Sequence, residues 1–77
     1  MEIKAFILVQ TEVGSEREVY SQLGNLNEVE QVYELFGEWD IIIRVKVDSI
    51  EQLDGFVSDI VRKTEGVTLT STTLISR

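Results

Sequence analysis

One short turn, Gly37-Glu38-Trp39-Asp40, brings a glycine, two carboxylates and a large aromatic together between the strand-like runs 29–36 and 41–47. The chemistry open to such a set is recognition of a small cationic group. Gly37 would let a ligand approach the main chain, and the Asp40 carboxylate would hold an ammonium group by a charge-assisted hydrogen bond. Trp39 would form a wall of the site or a plug at a subunit boundary. The plainer reading is hairpin chemistry alone, with a glycine at positive φ and an Asp accepting from backbone N–H groups.

A second polar set is the run Thr68, Thr70, Ser71, Thr72 and Thr73. Threonine is common in strands through β propensity alone, which accounts for most of this run. Alternation still puts Ser71 and Thr73 on one face and Thr70 and Thr72 on the other, so one pair can donate to a carboxylate near the sheet end. The paired acids Glu16 and Glu18, and Glu28 and Glu30, read as solvated surface.

The chain contains no cysteine and no histidine. That removes disulfides, thiolate catalysis, the usual zinc ligands and the side chain best suited to proton transfer near neutral pH. No metal, no cofactor and no catalytic residue is expected, and most enzyme classes are excluded with them. Fourteen acidic against seven basic residues give a net charge of −7, which repels phosphate backbones and anionic lipid, so neither direct nucleic-acid binding nor membrane binding is expected. No apolar stretch of membrane-spanning length occurs, and Met1-Glu2-Ile3-Lys4 lacks the pattern of a signal peptide; the cytoplasm is the expected compartment.

The elements that must position the turn follow from periodicity. Residues 2–10 alternate as a strand that is apolar on both faces in its middle. Ser15 and Glu18 have capping-box spacing, and Val19, Tyr20, Leu23 and Leu26 recur at helical intervals, which predicts a helix over about 15–25. Residues 29–36 and 41–47 form an antiparallel hairpin across the Gly37 turn. Ser49 and Gln52 repeat the capping box, and Leu53, Phe56, Val57 and Ile60 mark the stripe of a second helix, closed by Gly66. Residues 67–75 complete the order βαββαβ. The expected fold is α+β and ferredoxin-like: a four-stranded antiparallel sheet with both helices on one face, in a single domain over residues 1–77.

That topology leaves the other sheet face bare. Strict alternation turns Ile3, Ile7, Tyr33, Leu35, Ile41, Ile43, Val45, Leu69 and Ile75 toward the helices, and Phe6, Leu8, Val32, Phe36, Ile42 and Leu74 away from them. Full burial of a large apolar side chain is worth about 1.5 to 3 kcal/mol, so the outward six are expected to form the interface of a homodimer packed sheet to sheet.

Taken together, Val32-Tyr33, Gly37-x-x-Asp40, the strand 41–47, Leu53-x-x-Phe56 and Gly66-Val67-Thr68-x-Thr70-x-Thr72 resemble the effector-binding (RAM) domain of the Lrp/AsnC family of feast/famine regulators, over essentially the whole chain. The resemblance implies a domain that dimerises through its sheets, assembles into rings of dimers and binds an amino acid or related metabolite between dimers. It implies a ligand loop at Gly37, Glu38, Trp39 and Asp40, with Asp40 on the ligand's amino group and the hydroxyls of Ser71, Thr72 and Thr73 as further contacts. It also implies a form without the family's helix-turn-helix, acting in transcription regulation through co-assembly with full-length regulators. Two alternatives share the fold: a cofactor-independent enzyme of the dimeric α+β barrel type, with a substrate cavity between sheet and helices, and a ligand-free interaction adaptor.

Overall fold

Strand β1 (Ile3–Thr11) carries apolar side chains on both faces and takes a central place in the sheet. The computed structural model describes residues 2–76. After β1 come α1 (Glu16–Gly24), β2 (Val29–Glu34), β3 (Ile41–Val47), α2 (Ile50–Gly55), which runs on as a π-helical stretch over Phe56–Val61, and β4 (Val67–Leu74). The strands are antiparallel in the order β2-β3-β1-β4, the expected ferredoxin-like α+β arrangement. Ala5, Ile7 and Val9 of β1 and Ile41, Ile43, Val45 and Val47 of β3 are buried with Val19 and Leu23 of α1 and with Leu53, Phe56 and Val61.

The two helix starts differ. Ser49 is extended (φ −153°, ψ 161°), its Oγ accepts from Gln52 N–H at 3.0 Å, and Gln52 Oε1 accepts from Asp48 N–H at 2.8 Å. Ser15 has the spacing of a cap but makes no side-chain cap bond, because its backbone is already helical (φ −100°, ψ −1°) and a cap needs an extended residue. Glu18 Oε1 instead accepts from Gln22 Nε2 at 3.3 Å. The second helix also departs from the expected stripe. Arg62 N–H donates to the Val57 carbonyl five residues back at 2.9 Å, and this wider turn buries Val61 while leaving Ile60 exposed.

Two bulges correct the expected sheet faces. On β2, Val29 lies opposite Val45 but Gln31 lies opposite Arg44, so Glu30 is an extra residue. Val32 therefore falls opposite Ile43 and packs on the core beneath α1, whereas Tyr33 falls opposite Ile42 on the bare face; the expectation had these two reversed. On β4, Val67 lies opposite Thr11 and Leu69 opposite Gln10, so Thr68 is extra. Leu74 then sits opposite Ala5 on the helix side, and Leu69 joins the bare face, again the reverse of strict alternation. Phe36 is not on the sheet: it stands fully exposed beyond the end of β2, and Leu35 and Ile75 also lie just outside the strands. Ile3, Ile7, Ile41, Ile43 and Val45 face the helices, and Phe6, Leu8 and Ile42 face away, as periodicity predicts.

Gly66 (φ +96°) precedes β4, and a Cβ there would stand 2.9 Å from Ser15 Cβ and 3.0 Å from Val19 Cγ2; Gly14 (φ +90°) has open space instead. Alanine at either position must hold a left-handed backbone at about 1 to 2 kcal/mol. Gly14→Ala is expected to lower the unfolding free energy by about that amount, and Gly66→Ala by more, in urea titrations at one fixed protein concentration.

Candidate functional site

The Gly37 turn is tied to the end of β1 by hydrogen bonds on both its main chain and its carboxylate. Asp40 N–H donates to the Val9 carbonyl at 3.0 Å, and Leu35 N–H closes the hairpin on the Asp40 carbonyl at 2.9 Å. Asp40 Oδ2 accepts from Thr11 N–H at 2.8 Å, where β1 leaves the sheet, and Gln10 Nε2 donates to the Glu38 carbonyl at 2.8 Å. Gly37 holds φ +149°, and a Cβ there would meet nothing within 4 Å, so its surface is open. Phe36, Gly37 and Glu38 are exposed, and Trp39 and Asp40 are half-buried. The arrangement is a rigid carboxylate with one oxygen committed to the fold and an aromatic beside it.

Ser71, Thr72 and Thr73 do not join this loop within one protomer. Asp40 and Thr70 flank Val9 on opposite sides, two strand spacings or roughly 10 Å apart. Ser71 lies opposite Leu8, Thr72 opposite Ile7 and Thr73 opposite Phe6, progressively farther from the loop. Ser71 and Thr73 share the bare face with Phe6 and Leu8, and Thr72 is on the helix side. Clefts lie elsewhere, among them one of about 320 Å³ lined by Arg62, Val67, Thr68, Leu69 and Thr70, and one of about 390 Å³ between α1 and β2 lined by residues including Arg17, Tyr20 and Val32.

Sequence reasoning missed Gln10 and Thr11, which anchor the loop, although two polar residues ending an apolar strand next to a polar turn are a readable signal. It also missed Arg44. Opposite Phe6 on the bare face, Arg44 has its Nε 3.4 Å from Glu30 Oε1, and that Nε is buried without a hydrogen-bond partner.

The family model for the Lrp/AsnC ligand binding domain matches residues 4–77. The chain belongs to the Lrp/AsnC ligand-binding-domain family. HTH-type transcriptional regulator FL11 of Pyrococcus furiosus is 36% identical over 73 residues, 95% of this chain and 48% of that protein. The chain thus spans about half the length of the curated relatives it matches. FFRP-DM1 superposes with a TM-score of 0.92 at 38% identity, covering 95% of this chain and 97% of that one. A transcriptional regulator of Neisseria meningitidis, solved as an L-Met complex, superposes with a TM-score of 0.88 over 97% of this chain and 50% of its own; at 22% identity it shows the shared fold.

In this Lrp/AsnC domain the ligand loop expected from the resemblance is the turn that Thr11 and Gln10 anchor. Asp40→Ala leaves Thr11 N–H without its acceptor and is expected to cost about 1 to 3 kcal/mol of stability. Asp40→Asn keeps a carbonyl oxygen there and is expected to cost less, as chemical denaturation of the two variants will show.

Proposed function

We propose that this domain is the small-molecule-binding and oligomerisation module of a transcription regulator, with an amino acid or related metabolite as its effector. The observation that carries the proposal is the pairing of an open, rigidly anchored carboxylate turn with an uncovered apolar sheet face, in a chain that belongs to a ligand-binding-domain family. Asp40 retains one carboxylate oxygen for a ligand ammonium, Trp39 supplies a wall, and Gly37 and Glu38 present exposed main chain. Ser71, Thr72 and Thr73 are too far along β4 to complete that site within one protomer, so their contribution requires a neighbouring subunit. A fold neighbour solved with L-Met supports the effector class.

The dimer interface in this reading is the bare face as the register defines it: Phe6, Leu8 and Ile42 remain, and Tyr33 and Leu69 replace Val32 and Leu74. Phe36 belongs to the loop. The net charge of −7 argues that residues 1–77 do not themselves grip DNA and that control of a promoter comes through co-assembly with full-length relatives. Against the enzyme alternative, the space between sheet and helices is filled by aliphatic side chains and Phe56, and no polar or charged residue is buried among those described. No helix among the described residues is long and apolar enough to cross a membrane.

Two measurements test the proposal. Sedimentation at micromolar concentration is expected to show a dimer or larger assembly for the native chain, and Ile42→Lys is expected to shift it toward monomer; a native monomer would overturn the interface. A thermal-shift panel of the twenty amino acids at fixed protein concentration is expected to show a selective rise of several degrees, because a ligand at 100 times its Kd adds about 2.7 kcal/mol. Asp40→Asn, which keeps the Thr11 bond but removes the charge, is expected to abolish that rise. A flat panel would favour the ligand-free adaptor, with Trp39 plugging the site.

A further inference from the structure

The second helix carries two hydrophobic registers, and the fold uses the one that periodicity does not favour. Leu53, Phe56, Val57 and Ile60 have the spacing of a single α-helical stripe, with Ile60 in line with Leu53. The helix keeps that winding as far as Phe56, whose N–H donates to the Gln52 carbonyl four residues back. It then widens: Arg62 N–H donates to the Val57 carbonyl at 2.9 Å, five residues back. One surplus residue in the turn brings Val61 into the core, fully buried, and leaves Ile60 38% exposed. Thr64 completes this winding. Its N–H donates to the Val61 carbonyl at 3.2 Å and its Oγ1 to the Ile60 carbonyl at 2.8 Å, the group that a continuing α-helix would pair with Thr64 N–H.

We propose that residues 56–61 form a two-state register switch, in which a minor α winding with Ile60 in the core exchanges with the π winding that buries Val61. The two side chains differ by one methylene, so either fills the same core position with little change of volume. The opposing preferences are local. The α winding buries the larger side chain and restores an unbroken ladder, whereas the π winding has the Thr64 hydroxyl on the Ile60 carbonyl. Rewinding turns Arg62 by about one residue, roughly 100° around the axis and 1.5 Å along it. The turn 62–65 absorbs the shift, because the Gly66 carbonyl is held by Glu12 N–H at 2.8 Å and β4 stays paired with β1. The output is the position of a cation: Arg62 lines the cleft with Val67, Thr68, Leu69 and Thr70 in the π winding and leaves it in the α winding. The switch lies within one protomer and requires neither the effector nor any contact between copies.

Methyl relaxation dispersion on the native protein reads the exchange directly. Ile60 and Val61 are expected to share one process on the microsecond-to-millisecond scale, with a minor population of about 1 to 10%, while Ile43 and Val45 of β3 stay flat. Flat profiles at Ile60 and Val61 overturn the proposal. Ile60→Asp changes an exposed side chain in the π winding but places a carboxylate in the core of the α winding. It is expected to cut the minor population, and with it the exchange at Val61, by at least about tenfold; exchange that persists at Val61 has another origin and overturns the switch. Val61→Ala biases the other way, since the α winding then buries Ile60 in place of a cavity. The Ile60 methyl resonance is expected to move to the position that dispersion assigns to the minor state of the native protein. An Ile60 resonance that keeps its native position overturns the proposal equally.

Discussion

The constraint on which this structure depends is that β1 is apolar on both faces while the chain supplies helices for only one. Ala5, Ile7 and Val9 are fully covered by the helix layer, and Phe6 and Leu8 on the reverse of the same strand are not. Both helices of the described residues lie on one side of the sheet, and domains of this size retain only a few kcal/mol from their own core. Every other feature takes its place from that imbalance. β3 and β4 flank β1 and extend the uncovered face through Ile42 and Leu69, so the surface that is costly to expose is continuous.

Much of this is legible in the sequence. Element order followed from periodicity and turn residues, and the inward set on β1 and β3 followed from alternation because those strands run unbroken where they pair with each other. What was not legible came from single extra residues. The bulge at Glu30 exchanged Val32 with Tyr33, and the bulge at Thr68 exchanged Leu69 with Leu74, because a one-residue shift in a period of two turns every following side chain over. No glycine marks either bulge. The π-helical stretch did the same to a period of 3.6, replacing Ile60 by Val61 in the core. In each case the local sequence fits both patterns, and tertiary packing selects one.

The candidate site shows the same division. Gly37 and Asp40 are readable as a turn, and the plainer reading of Asp40 as an acceptor from a backbone N–H holds without excluding the proposed ligand role. Oδ2 holds Thr11 N–H, which fixes the carboxylate, and a fixed carboxylate loses less conformational entropy when it engages a ligand. The anchoring role of Gln10 and Thr11 depends on a contact across nearly thirty residues, which no local pattern reports. The resemblance groups Ser71, Thr72 and Thr73 as further contacts and alternation already divides them between two faces; what the strand pairing adds is that all three lie away from the loop of the same protomer.

Charge placement joins these observations. Fourteen carboxylates are spread over helix starts, strand ends and the β2 edge, and their mutual repulsion opposes any association that is not specific. Two surfaces escape that rule. The centre of the bare face carries one charge, Arg44, drawn toward Glu30, and the β4 edge carries none. Like charges oppose association least at these two surfaces, which restricts its geometry without requiring strong contacts at either. On the proposed face-to-face contact, the geometry of association follows from where the charges are absent.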